Sequence, residues 1–116
     1  MKGWVTAYSD GAVKVARQNR QRLDVSAETK LPGAGLSLGR IAHQIRQDVW
    51  RACQNVRGFS PVVSITPENG SYKVLAGGQL DQKRPANLHL VSQIDAVLSD
   101  PDNRNRWITH AKKRIR

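Results

Sequence analysis

The chain has 116 residues and a mass of 12.9 kDa, enough for one domain that buries a core without a disulfide or metal staple. Hydrophobic residues at 39% and charged residues at 24% exclude wholesale disorder. Nineteen Lys plus Arg against nine Asp plus Glu give a formal charge of +10, which argues for an anionic partner and carries no information about fold.

The first residues, Met1-Lys2-Gly3-Trp4, do not lead into an apolar run of signal-peptide length. No stretch reaches the roughly 18–20 apolar residues of a membrane span. Cys53 is a lone thiol, so no internal disulfide forms. The expectation is a cytoplasmic, intracellular protein with no membrane partner.

In chain order, Trp4–Ser9 and Ala12–Arg17 are β-prone runs around Asp10-Gly11. Asp-Gly suits a type I′ hairpin turn, which needs positive φ at both central positions. A helix over 11–23 competes, but its apolar residues thin out after Ala16. Residues 24–37 read as a linker, because Leu31-Pro32-Gly33-Ala34-Gly35 resists regular structure. Ser37 then caps a helix from Leu38 to about Arg57, with Ile41, Ile45, Val49, Ala52, Cys53 and Val56 on its apolar face and Gly58 as its stop. Val62–Thr66 and Ser71–Ala76 form a second hairpin around Pro67-Glu68-Asn69-Gly70, and Gly77-Gly78 closes it. Asn87 caps a helix burying Leu90, Val91, Ile94, Val97 and Leu98. Asp100-Pro101-Asp102 starts a last helix, running to about Arg114.

This order predicts an α+β fold of two layers, an antiparallel sheet built from two β-hairpins with about three helices packed on it. It is one domain over 1–116: an N-terminal hairpin to residue 23, a linker to 37, then helix, hairpin, helix, helix. The hairpins join in one sheet or pair across a homodimer.

Three basic clusters stand out. Lys14, Arg17, Arg20 and Arg22 lie late in the first hairpin and after it. Arg40, Arg46, Arg51 and Arg57 lie on the long helix. Arg104, Arg106, Lys112, Lys113, Arg114 and Arg116 crowd the C-terminal end. Cationic density of this kind suits phosphate, because each neutralised phosphate releases condensed counterions. Its plainer role is solubility. Trp50 lies off the apolar stripe, near His43, Arg46 and Arg57. There it either stacks on a base or packs beneath the N-terminal segment or a dimer interface. The nucleic-acid candidates are Arg17, Arg20, Arg22, Arg46, Trp50, Arg57, Arg104, Arg106, Lys112, Lys113 and Arg114. Trp107 and Trp4 are expected to pack in the interior.

Enzyme chemistry finds little support. Gly33–Gly39 matches neither the dinucleotide fingerprint nor the P-loop. The RNA-binding sheet signature is missing its aromatics around Tyr72. Asp100 and Asp102 are explained by capping. His43, His89 and His110 lack metal-ligand spacing, and Cys53 reads as buried and inert. No cofactor, metal or catalytic residue is expected, although a small histidine- or metal-dependent nuclease is a third reading. The leading expectation is a small basic protein contacting DNA or RNA phosphates without sequence specificity. The alternative is an assembly component or inhibitor docking on an acidic protein surface. Size and charge suit an accessory protein of a phage or mobile element.

Overall fold

Two tight turns organise the sheet. Asp10 and Gly11 have φ of 52° and 79°, and Asn69 and Gly70 have φ of 22° and 82°. Both central residues of each turn thus lie in the left-handed region, a turn whose twist matches the right-handed twist of the strands it joins. The computed structural model describes residues 3–33, 35–81 and 88–112. Its elements are β1 (Trp4–Ser9), β2 (Ala12–Arg17), β3 (Val25–Pro32), α1 (Leu38–Cys53), β4 (Ser60–Glu68), β5 (Ser71–Gln79), α2 (Leu88–Ser99) and α3 (Pro101–Ala111).

The five strands form one antiparallel sheet in the order β1-β2-β4-β5-β3. Both expected hairpins are present, and they join within the chain: Val13 faces Ile65 and Val15 faces Val63 across β2 and β4. The three helices pack on the sheet as the α+β reading expects. Val13, Val15, Val63, Ile65, Val74, Ala76, Val25 and Leu31 meet Ile41, Ile45, Val49, Leu90, Ile94, Leu98 and Trp107 in one core. α3 rests on α1 and α2.

Several boundaries differ from the sequence reading, among them the end of α3, which stops at Ala111 and not near Arg114 because Lys112 turns to extended backbone. Residues 25–32 of the expected linker form β3, which pairs with β5 from Val25↔Gly78 to Pro32↔Ser71. Gly77-Gly78 does not end its strand, since β5 runs through both to Gln79. α1 stops at Cys53, not near Arg57. Val56 N–H donates to Cys53 O and Phe59 N–H to Val56 O, turns that an Asn at position 55 favours over helix. Caps at the other helix starts are as expected. Ser37 Oγ accepts from Arg40 N, and Asp100 Oδ1 accepts from the backbone of Asp102 and Asn103. The Asn87 cap lies outside the described residues.

Candidate functional site

α1 buries Ile41, Ala42, Ile45, Val49 and Cys53. The same helical period places Arg40, Gln47, Trp50 and Arg51 on the outer face, all exposed, within about a third of the helix circumference. This face has a strand on one flank, a helix on the other and a recess at its C-terminal end.

The strand is β1. Its alternate residues Trp4, Thr6 and Tyr8 meet Arg46, His43 and Gly39 of α1 in turn. Arg46 holds its guanidinium 4.3 Å from the centre of the Trp4 ring, and Thr6 Oγ1 is 3.1 Å from His43 Nε2. A Cβ at Gly39 would lie 2.6 Å from Tyr8 Oη, so the Tyr8 ring tip rests on this glycine. Arg17, opposite Trp4 in the hairpin, places a second guanidinium 4.9 Å from the same ring. The ring faces attract both cations. Burial, then the Arg17 charge, lowers the Arg46 pKa, and burial, then Arg46, lowers that of His43.

The helix is α3. Between α1 and α3 runs a groove of about 740 Å³ lined by Arg40, His43, Gln47, Arg51, Arg106 and His110, with Gly39 and Gln44. Beside it lies Asp48, 8% exposed. Its Oδ2 accepts from Arg106 Nη2 and from the buried Trp107 Nε1, each at 2.7 Å, and its Oδ1 lies 3.5 Å from Arg51. One carboxylate thus anchors two of the groove's arginines while their outer edges stay accessible.

The recess, about 270 Å³, is lined by Arg17, Arg20, Trp50, Gly58, Phe59 and Ser60. Trp50 is 42% exposed, which settles its place: it is a surface residue, not a core one. Arg20 is fixed by Gly58 O and by an ion pair with Asp81. Two buried donors of the recess residues, Arg20 Nε and Ser60 Oγ, have no hydrogen-bond partner among the described residues.

The sequence candidates therefore separate. Arg17, Arg20, Trp50 and Arg106 border the recess or the groove. Arg57 is exposed in the turn before Gly58, and Lys112 is exposed at the end of α3, where it bridges Leu36. Arg46 is 5% exposed and lies on Trp4. Arg22 grips Asp24 through Nε and Nη2 and also reaches Leu80 O. Arg104 donates to Thr29 Oγ1, Leu98 O and Lys30 O, tying α3 to the β3 edge, across the sheet from β1. Lys113 and Arg114 lie outside the described residues. The three basic clusters thus do not form one continuous surface. Arg40 and Arg51, noted in sequence only as part of a charged helix, belong to the groove. So do His43 and His110, whose nearness across two helices has no sequence signal. Asp48 was not singled out at all.

Trp107 and Cys53 are buried, and burial pushes the Cys53 thiol up to about 11. Among the described residues there is no His, Cys, Asp and Glu grouping of metal-site size, and no helix long and apolar enough to cross a membrane. No family model, curated protein or solved structure matches the chain.

Proposed function

We propose that this protein binds nucleic acid without sequence specificity, through the outer face of α1 and its flanks. The observation that carries this reading is the convergence on one helix face of a groove bearing Arg40, Arg51 and Arg106 with a recess bearing Trp50, Arg17 and Arg20. Guanidiniums suit phosphate because their planar donor fork matches its oxygens. Such contacts set position and affinity without reading bases. The two carboxylates nearest these arginines, Asp48 and Asp81, are already engaged with arginine, so they offer a phosphate little repulsion. From Arg40 to Arg51 the helix runs roughly 16 Å, the span of several phosphates at about 3.4 Å per step.

The test is titration of a labelled oligonucleotide between about 50 and 200 mM salt. Phosphate contacts by Arg17, Arg40, Arg51 and Arg106 give a slope of log K against log salt of about −3. Arg40→Glu with Arg51→Gln should make that slope shallower by about 2. Absence of binding at low salt, or a flat salt response, overturns the reading. The exposed Trp50 among arginines then remains as an anchor for an acidic protein surface, since those residue types dominate interface energetics.

A further inference from the structure

We infer that the recess at the C-terminal end of α1 takes an unpaired base, which makes the protein's ligand single-stranded nucleic acid and not duplex. The inference rests on the nucleic-acid reading above and sharpens it to a substrate class.

The first argument is shape. Proteins that insert an apolar side chain into duplex DNA do so with a wedge that stands out from the surface. Trp50, 42% exposed on the outer face of α1, instead forms one wall of a shallow recess that Arg17, Arg20 and Phe59 also border. An aromatic at the wall of a recess offers its face to a ring that enters beside it. In a duplex both faces of each base are covered by its neighbours, so only an unpaired base can enter.

The second argument is chemistry. A base offers a flat π-face and an edge with acceptor oxygens or nitrogens. The recess sets the exposed Trp50 side chain beside the Arg17 and Arg20 side chains. Arginine donors at its wall suit the acceptors of a base edge and of its phosphate. Arg17, exposed at the rim, is placed for the phosphate of the same nucleotide, and the arginines of the groove continue along α1 for its neighbours. Aromatic stacking combined with a cationic track is how single strands are held without sequence preference.

The experiment measures fluorescence anisotropy of labelled oligo(dT) and of a blunt duplex of the same length, at one fixed salt concentration, with the full chain. Wild type should bind oligo(dT) about tenfold more tightly than the duplex. Trp50→Ala should remove about tenfold of the oligo(dT) affinity and leave duplex affinity unchanged. Trp50→Phe, which keeps a stacking face, should retain most of it, and it serves as the variant of record should the alanine chain melt early. Equal, steeply salt-dependent binding of both forms overturns the single-strand assignment and leaves the phosphate-binding reading standing. Equal losses on both ligands in the variants do the same. Failure of both ligands to bind overturns both readings.

Discussion

Asp48 shows how one side chain both supports the fold and shapes the candidate site. Its carboxylate takes the Trp107 indole N–H inside the core and the Arg106 guanidinium at the groove wall. Removing it strands an N–H that water cannot reach, whereas Arg106, partly exposed, can rehydrate. Asp48→Ala should therefore cost about 2–3 kcal/mol in urea unfolding, and Asp48→Asn, which keeps an acceptor, about 1 kcal/mol. Equal stability of the alanine variant would mean that Trp107 has found another acceptor. Trp107 was legible as a core residue from the apolar stripe of its helix. Its acceptor was not, because the pair is separated by 59 positions. The available clue was a carboxylate at position 48, inside the Ile45–Val49–Ala52 stripe, where an unpartnered acid would be expensive. Trp50 was legible as lying off that stripe; the recess beside it was not, because Arg17, Arg20 and Phe59 reach it from other parts of the chain.

At the scale of elements, turns and caps were readable because each is a local event. Asp10-Gly11, Asn69-Gly70, Ser37 and Asp100 all act where the residue types predict. β3 escaped because its sequence, Val25–Pro32, is largely polar and leads into Pro32-Gly33. It is an edge strand, so Ser26, Glu28 and Lys30 face out while Val25, Ala27, Thr29 and Leu31 face the helices, a period of two that polarity disguises. The glycines that looked like a strand end are what admit this edge. A Cβ on Gly77 would stand 1.9 Å from Val25 O and 2.7 Å from Ser26 Cα, both backbone atoms that cannot rotate aside. Gly77→Ala should push β3 from β5 and cost about 3 kcal/mol, read as a lower urea midpoint. A midpoint within error of wild type would show that the two strands need not be so close.

At the scale of the whole molecule, charge and stability are coupled through the proposed binding face. His43 lies in the groove wall with its pKa lowered, by burial first and then by Arg46. The unfolded chain takes up this proton near the ordinary value of about 6.5 and the folded chain only below it. Stability is therefore full above that value and declines as pH falls through it. Phosphate in the groove has the opposite sign, since it favours protonated imidazole. Acidification below about pH 6.5 should thus lower Tm while tightening oligonucleotide binding, and His43→Gln should flatten both trends. If Tm and affinity move together in the wild type, His43 is not the link between them.

The order of the strands has one more consequence. The β4–β5 hairpin is clasped from both sides by strands that precede α1, β2 against β4 and β3 against β5. Neither the first third of the chain nor the remainder can complete its backbone pairing alone. A backbone cut in the connection between β3 and α1 would leave two complementary halves, each carrying the template the other lacks, and a nicked molecule would stay associated through sheet and core without its covalent link.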